Sequence, residues 1–365
     1  PPLMVTAEIY DISPELSSVT FLVESGLDVW GVDFGTPEAE SGGMERTLDE
    51  HILGIDKAIE EVASRTQGDV HLIGYSQGGM FAYQVAAYRR CADIASIVTF
   101  GSPVDMRRNL PLRLNDTLAE RVISAARDSI KGPLDELKGL PGALTSKGFK
   151  LLAPKQEMRH LISMLGLLHD KEAYTEAEPR RRFLGGEGFI AWPGPAFKSF
   201  VDQFIVNNRL RAGGMVIAGR AASLSDVTVP ILFFVGERDE FARPESVRAI
   251  RKAATEADTY EVLVPTGHFG LVVGSRAMSL AWPAVSEWIP WIDGHGEVPQ
   301  ILREPEETED EQDEPIPEIS PENSGTFAQR MYDLATDAVD DLWHRMGDFS
   351  VELTDVVGAM RWQLP

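Results

Sequence analysis

The residues best suited to chemistry lie between His71 and Gly79, a run that reads His-Leu-Ile-Gly-Tyr-Ser-Gln-Gly-Gly. An apolar stretch precedes Ser76 and a helix-like stretch follows it, which predicts a sharp turn between a strand and a helix. Gly74 and Gly78, two residues before and after the serine, relieve the crowding of backbone at such a turn, and Gly79 lets the helix approach the strand closely. The pattern predicts that Ser76 is a nucleophile.

A serine hydroxyl needs a general base, and His268 is the best candidate among the seven histidines. It lies late in the chain, after a predicted strand, in the turn-like run Pro-Thr-Gly-His-Phe-Gly. His71 lies inside the strand that precedes the turn and is expected to be a core residue. The other five are expected on helices, where they serve packing or face the surface, or in the C-terminal tail: His51, His160, His169, His295 and His344.

The base in turn needs a carboxylate that orients it. Asp239 follows a predicted apolar strand and precedes the histidine, which matches the order serine, acid, histidine expected for this kind of site. Glu237 and Glu240 compete with it in the same loop. Asp105, which follows an earlier strand, is an alternative acid.

Negative charge on an acyl oxygen requires two N–H groups aimed at it. The residue after the nucleophile, Gln77, is expected to supply one of them. The other is expected from a loop after an early strand, and Leu3 or Met4 is the candidate donor.

The elements that must hold these residues alternate between strand-like and helix-like segments, which is typical of a parallel sheet covered by helices. Strands are predicted at residues 27–34, 70–74, 94–100, 229–236 and 260–265. Helices are predicted at residues 14–25, 47–65, 76–90, 118–131, 156–168, 196–208, 244–257, 275–289 and 326–346. Ser13 is the expected N-cap of the first helix. With the serine turn, this order predicts the α/β class and an α/β-hydrolase fold, with a mostly parallel sheet flanked by helices and a large helical cap.

Composition divides the chain into four regions. Residues 1–103 and 226–294 carry the alternating pattern and are predicted to form the hydrolase core, whose first strands we expect to be missing. Residues 104–225 are too long for a loop and are predicted to form the helical cap. Residues 295–323, rich in proline and acidic residues, are predicted to be a disordered linker. Residues 324–365 are predicted to be an amphipathic helical segment that must dock on another surface.

Charge and spacing restrict the ligands and partners. The net charge of −23 is unrelieved by any basic stripe, so nucleic acid is not an expected ligand. Neither metal-ligand spacing nor a phosphate loop is present, so we expect no cofactor and no metal. No apolar stretch reaches the roughly 18 residues of a membrane span. A cytoplasmic location is expected, with peripheral lipid contact as an alternative.

Several motifs over residues 1–290 resemble the polyhydroxyalkanoate synthase-like branch of the α/β hydrolases. They are Ile9-Tyr10-Asp11-Ile12-Ser13-Pro14, Asn207-Asn208-Arg209-Leu210, Leu224-Ser225-Asp226-Val227-Thr228-Val229-Pro230 and Gly267-His268-Phe269-Gly270-Leu271. The resemblance implies a cysteine nucleophile and a histidine after the acid, whereas this chain has Ser76 and Glu240. Because serine is the usual nucleophile of ester hydrolysis, hydrolysis or a single acyl transfer is favoured over polymer synthesis.

The acidic linker and the helix after it resemble those that join such hydrolase domains to acyl-CoA ligase domains in actinobacterial fusion proteins. The resemblance implies a fused ligase domain as a partner, and a contact between copies through the C-terminal helix is the alternative.

Three functions are compatible with these residues. The first is a serine esterase, lipase or thioesterase that acts on a medium- or long-chain acyl ester or acyl-CoA substrate. The second is acyl transfer to an alcohol or glycerolipid acceptor through the same acyl-enzyme. The third is a non-catalytic hydrolase fold that serves as a docking module.

Overall fold

The protein is described here from a computed structural model, which describes residues 1–109, 139–140, 142, 179, 182–299 and 301–302. The α-helices are α1 (Ser18–Glu24), α2 (Leu48–Thr66), α3 (Gln77–Arg89), α4 (Gly194–Phe200), α5 (Arg209–Ala212), α6 (Pro244–Arg248), α7 (Ile250–Ala253) and α8 (Trp282–Ile292). The strands are β1 (Val70–Tyr75), β2 (Ile94–Phe100), β3 (Gly139–Leu140), β4 (Trp192–Pro193), β5 (Met215–Ile217), β6 (Arg220–Ala222), β7 (Ile231–Gly236) and β8 (Thr259–Val264). Short π-helical turns occur at Phe183–Glu187, Val201–Val206 and Ala277–Ala281.

In the described part of the chain, the central sheet contains four parallel strands in the order β1-β2-β7-β8. Gly74 of β1 pairs with Thr99 of β2, and Phe100 of β2 pairs with Phe234 of β7. Because the strands are parallel, their carboxyl ends meet at one edge, where open α/β sheets bind their ligands. The predicted parallel sheet flanked by helices is confirmed.

Alternate residues of the central strands face opposite sides of the sheet and build two buried clusters. Ile97 and Phe233 pack on one side with residues of α2 and α3. Phe100 and Phe234 pack on the other side with residues of α8. The rings of Phe100 and Phe234 stack with 4.4 Å between centroids, and Trp282, 1% exposed, packs on Phe100 at 4.7 Å. These packed rings hold β2 and β7 side by side beneath the edge that carries the candidate site.

The first helix begins later than its sequence indicates. The Ser13 side chain makes no capping bond, and the residues after it form a single 3₁₀ turn. Ser17 caps α1 instead, since its hydroxyl accepts the Thr20 N–H at 2.8 Å. The prediction of Ser13 as the cap of this α-helix is wrong because a second serine one turn later satisfies an N–H group of the helix.

The predicted strand at residues 27–34 is also wrong. No described strand pairs with these residues, and Trp30 is 47% exposed rather than buried. The Trp30 indole N–H donates to Asp28 Oδ2 at 3.1 Å, while Leu27 and Val29 pack at the edge of a buried cluster. An apolar pattern alone does not make a strand, because a strand also needs a neighbouring strand to hydrogen-bond with.

The described residues of the predicted cap contain both helices and short antiparallel strand pairs. Helix α4 and the π-helical turn after it cover most of the predicted helix at residues 196–208, and α5 is a further short helix. The antiparallel pair β3–β4 and the hairpin β5–β6 were not predicted. The predicted helices at 118–131, 156–168 and 326–346 and most of the acidic linker lie outside the described residues, so the domain boundaries stay predictions. None of the described helices combines the length and the apolar character of a membrane span.

Two histidines that the sequence assigns to packing are held inside the fold. His51 on α2 is 4% exposed, and its Nδ1–H donates to the Thr47 carbonyl at 2.6 Å. The His71 side chain is 12% exposed, with Nδ1 2.8 Å from Ser96 Oγ and Nε2 3.1 Å from Asp293 Oδ1. Burial lowers the pKa of both side chains below the usual 6.5, and Asp293 partly opposes this at His71.

The lowered pKa values predict a stability that falls in weak acid. The unfolded chain protonates its histidines at a higher pH than the folded chain, so the stabilisation is complete above about pH 6.5 and is lost progressively as the pH falls below it. We expect His51→Phe to make this loss shallower between about pH 7 and about pH 5, as measured by urea unfolding. His295→Gln, a change at an exposed histidine, is the control. An unchanged slope in His51→Phe would contradict the prediction.

Candidate active site

Ser76 sits on a strained turn between β1 and α3, with φ 53° and ψ −119°. This backbone conformation is rare for a residue with a side chain, so the surroundings must hold it in place. The Ser76 N–H donates to the Phe100 carbonyl of β2 at 2.8 Å, and the Ser76 carbonyl accepts the Gly79 N–H at 3.1 Å. The neighbouring strand and the first turn of α3 therefore fix the serine from both sides.

The glycines around Ser76 leave no room for a side chain. A Cβ on Gly74 would lie 2.5 Å from the Gly79 nitrogen. A Cβ on Gly79 would lie 2.9 Å from Thr99 Cγ2 on β2 and would collide with Ser102. Gly79 thus lets α3 pack directly on the strand next to β1, which is the role expected of it from sequence.

Three side chains from three strand ends meet at the carboxyl edge of the sheet. Ser76 Oγ lies 2.9 Å from His268 Nε2, and His268 Nδ1 lies 2.7 Å from Asp239 Oδ2. Ser76 follows β1, Asp239 follows β7 and His268 follows β8. His268 and Asp239 are each 4% exposed, so the two share an environment from which most water is excluded. This is the geometry of a serine activated by an oriented histidine.

The loop after β7 holds the Asp239 carboxylate rigidly. Its Oδ1 accepts the N–H groups of Phe241 at 2.9 Å and Ala242 at 2.8 Å, which leaves Oδ2 for His268. Glu237 and Glu240, the competitors in the same loop, are exposed. Burial and backbone donors therefore distinguish Asp239 from its two neighbours.

Asp105, the alternative acid, has a different set of partners. Its Oδ1 accepts the side-chain N–H of Asn208 at 2.9 Å and the backbone N–H of Arg107 at 3.1 Å. Its carbonyl accepts the Ser246 hydroxyl at 2.6 Å. The structure thus places Asp105 in a contact that joins the loop after β2 to α6 and to Asn208, while the histidine is bonded to Asp239.

Aromatic rings surround His268, an arrangement that sequence reasoning missed. The Tyr75 and Phe241 rings lie 4.9 Å and 5.4 Å from the imidazole, centroid to centroid, and Phe269 lies 6.1 Å away. Tyr75 is 1% exposed, and its burial, together with the nearby charge of Asp239, raises the pKa of its hydroxyl well above 10. Tyr75 is therefore a neutral wall of the site, and these rings limit both rotation of the imidazole and access of water to it.

The expected oxyanion donors are arranged less simply than the sequence suggests. The Leu3 N–H donates to the Gln77 side-chain Oε1 at 3.0 Å. The backbone N–H groups of Met4 and Gln77 have no hydrogen-bond partner among the described residues. Of the three candidates, Gln77 and Met4 thus keep free backbone donors, while the Leu3 donor is occupied.

Gly101 lies directly beneath the side chains of His268 and Asp239, and this role was not predicted from the sequence. It follows β2 with φ +53°, and a Cβ here would lie 2.8 Å from Leu271 Cδ1, 3.0 Å from Asp239 Oδ2 and 3.1 Å from His268 Nδ1. The signal that could have revealed it is a glycine directly after an apolar strand, where tight turns and close backbone approaches concentrate.

The comparisons with known proteins agree with this fold. Residues 5–278 match the alpha/beta hydrolase family, and the chain belongs to that family. It is 28% identical to the poly(3-hydroxyalkanoate) polymerase subunit PhaC of Allochromatium vinosum over 286 residues, 76% of each chain. It is 29% identical to the protein of the same name from Haloferax mediterranei over 289 residues, 77% of this chain and 55% of that protein. The predicted resemblance to polyhydroxyalkanoate synthases is confirmed.

Among solved structures, the chain is similar to a monoacylglycerol lipase of Paleococcus ferrophilus. The two share 16% sequence identity with a TM-score of 0.46, over 80% of this chain and 91% of the lipase.

The position of Gly101 predicts a large effect from one methyl group. We expect Gly101→Ala to lower stability by about 1–2 kcal/mol through its left-handed backbone. We also expect it to slow modification of Ser76 by a fluorophosphonate by about 100-fold, because the new Cβ displaces His268 and Asp239. Rates would be measured by active-site labelling and stability by urea unfolding.

Gly219→Ala is the matched control. Gly219 has φ +79°, and a Cβ there would meet nothing within 4 Å. It should lose similar stability and keep the labelling rate. Equal labelling of the two variants would show that Gly101 matters only for folding.

Proposed function

We propose that this chain is a serine hydrolase that acts on acyl esters or thioesters through an acyl-enzyme on Ser76. The observation that carries the proposal is the continuous hydrogen-bonded series from Ser76 Oγ to His268 to Asp239, at 2.9 Å and 2.7 Å, on a strained turn. Membership of the alpha/beta hydrolase family is consistent with it.

In the proposed first half-reaction, Ser76 Oγ attacks the substrate carbonyl while His268 Nε2 takes the hydroxyl proton. Asp239 holds the Nδ1–H and stabilises the imidazolium that forms. The backbone N–H groups of Gln77 and Met4 hold the negative oxygen of the tetrahedral intermediate. The intermediate expels the alcohol or thiol, which takes the proton from His268, and the acyl group remains on Ser76.

In the second half-reaction, a water molecule loses a proton to His268 and attacks the acyl-enzyme. Ser76 leaves with the proton that His268 returns, and the carboxylic acid is released. A serine hydroxyl does not ionise near neutral pH, so both halves depend on the histidine. The short contacts at both imidazole nitrogens support this assignment of roles.

The proposed substrates carry medium- or long-chain acyl groups. The proposal rests on the leucine-rich composition of residues 104–225, since apolar walls suit an acyl chain. Aromatic side chains in the described part of this region pack closely: Trp192 lies 4.8 Å from Phe197 and 5.1 Å from Phe200, between ring centroids.

Acyl transfer to a hydroxyl acceptor is the second candidate. One observation favours it: the relatives are named polymerases. An acceptor alcohol would use His268 in the same way as water does. The two functions share every step up to the acyl-enzyme.

We expect a fluorophosphonate probe to label the folded wild-type protein at Ser76. Ser76→Ala should abolish labelling, and Asp239→Asn should slow it by about 10³–10⁴-fold, because the histidine loses the partner that orients it. Ser64→Ala, at an exposed serine on α2, is the control and should label normally. Peptide mapping identifies the labelled residue. A folded protein with an unlabelled Ser76 would contradict the proposal and would favour a docking role.

The fate of the acyl-enzyme separates hydrolysis from transfer. With octanoyl-CoA or palmitoyl-CoA in water, we expect free CoA and free fatty acid in equal amounts. With glycerol added, a hydrolase should still release mainly fatty acid, whereas a transferase should form the glycerol ester in its place. Chromatography of the products, with Ser76→Ala as the blank, measures the ratio. Predominant ester formation would replace the first candidate by the second.

A further inference from the structure

We propose that the side chain of Gln77 is a positioning residue, and that it sets the second oxyanion donor by holding residues 2–6. We call residues 2–6 the oxyanion loop. The inference rests on the proposed function, because it concerns the charge that develops on the acyl oxygen. It assigns to Gln77 a task beyond its backbone N–H, which is the only part of this residue that the reaction scheme uses.

The contact between Gln77 and the oxyanion loop is fully enclosed. Gln77 Oε1 accepts the Leu3 N–H at 3.0 Å, with Leu3 1% exposed and Gln77 4% exposed. The loop is a tight turn, closed by the Val5 N–H, which donates to the Pro2 carbonyl at 3.1 Å. A turn this short moves as one piece, so a bond to Leu3 also places the adjacent N–H of Met4.

The other bonds of the loop lead away from the nucleophile. The Thr6 N–H donates to the Gly188 carbonyl at 3.0 Å, and the Met4 carbonyl accepts the Ile190 N–H at 3.1 Å. These two bonds tie the loop to residues 188–190. Among the hydrogen bonds of the described residues, the Gln77 bond is the one that ties the loop to α3 and hence to the nucleophile turn. The separation between the Gln77 and Met4 N–H groups therefore depends on it.

The Leu3 bond also decides which residue supplies the second donor. A donor that already serves a buried carboxamide is not free for the acyl oxygen, whereas the Met4 N–H has no partner among the described residues. The same bond occupies Oε1, an acceptor whose partial negative charge would disfavour a nearby oxyanion. The geometry points to Met4 as the second donor and to Gln77 as the residue that keeps it in place.

The Nε2 group of the Gln77 carboxamide indicates that this side chain serves the oxyanion loop. Gln77 Nε2 is buried and has no hydrogen-bond partner in the described part of the chain, so this amide is not held by a network on its other side. An unpaired buried amide opposes folding, and an apolar side chain of the same size would avoid that penalty. Among the described residues, the one hydrogen bond that this side chain makes is the bond to the oxyanion loop.

Two substitutions at Gln77 and one on the same helix test the proposal. Gln77→Met keeps the size of the side chain but removes the acceptor, whereas Gln77→Glu keeps an acceptor oxygen. Gln84→Met is the matched control: Gln84 is 1% exposed on α3, and its Nε2–H donates to the Met80 carbonyl at 3.0 Å. The control removes an equally buried carboxamide bond from the same helix without touching the loop.

We expect Gln77→Met to lower kcat for a p-nitrophenyl ester by roughly 10–100-fold with little change in KM. The loss of kcat should be smaller than that caused by removing an oxyanion donor, because the Met4 N–H is misplaced but still present. The affinity for an alkyl boronic acid, which mimics the tetrahedral intermediate, should fall by a similar factor. Gln77→Glu should recover part of the lost kcat, and Gln84→Met should leave kcat and boronate affinity at the wild-type values. Circular dichroism and thermal unfolding verify that each variant is folded.

A folded Gln77→Met variant with wild-type kcat and boronate affinity would overturn the proposal. A rise in kcat would overturn it too, since it would show that the Leu3 bond competes with the substrate. Equal losses of kcat and boronate affinity in Gln77→Met and Gln84→Met would also overturn it, because they would show that the contact contributes only to general packing. Failure of the proposed function is distinguishable from all of these, because in that case the wild-type protein itself would not be labelled at Ser76.

Discussion

The left-handed conformation of Ser76 is the constraint on which the rest of the site depends. A residue with a side chain adopts φ 53° only if its surroundings repay the strain, and here the strand end, the Phe100 carbonyl and the first turn of α3 do so together. Gly74 and Gly79 follow from the same constraint, because any Cβ at these positions would meet the backbone of the turn or the neighbouring strand. Because β1 is paired with β2, the turn after β1 is held in place, and the Ser76 hydroxyl projects from it.

The parallel pairing of the strands also fixes where the other residues of the site lie. Since β1, β2, β7 and β8 all end at one edge, a nucleophile after β1 needs only the loops after β7 and β8 to complete the series. The stacked rings of Phe100 and Phe234 keep β2 and β7 in register, so Asp239 and Ser76 are set on a rigid base. Gly101 then allows His268 and Asp239 to lie against the end of β2 without a side chain between them.

Sequence alone predicts the features that are local or that follow a fixed order along the chain. The strand–turn–helix pattern around Ser76, the candidates Asp239 and His268, and strands β1, β2, β7 and β8 are of this kind. Apart from the N-cap of the first helix, the failures concern contacts between distant residues. Residues 27–34 have the apolar pattern of a strand, but pairing depends on a neighbour that a local pattern does not specify. The rings of Tyr75 and Phe241 around His268, and the bond from Leu3 to Gln77, join segments far apart in the sequence.

In the proposed mechanism, the choice of serine rather than cysteine limits how the acyl-enzyme can form and react. A thiol can attack as a preformed thiolate, whereas a serine hydroxyl must lose its proton as it attacks, so a nucleophilic Ser76 would depend on His268 at every attack. Because the imidazole has Asp239 on one nitrogen and aromatic rings around it, only its Nε2 side is open to a reacting hydroxyl. Water and an acceptor alcohol must therefore compete for the same place beside the acyl carbonyl. The difference between a hydrolase and a transferase on this scaffold is then a difference in which hydroxyl occupies that one place, and not in the residues that perform the chemistry.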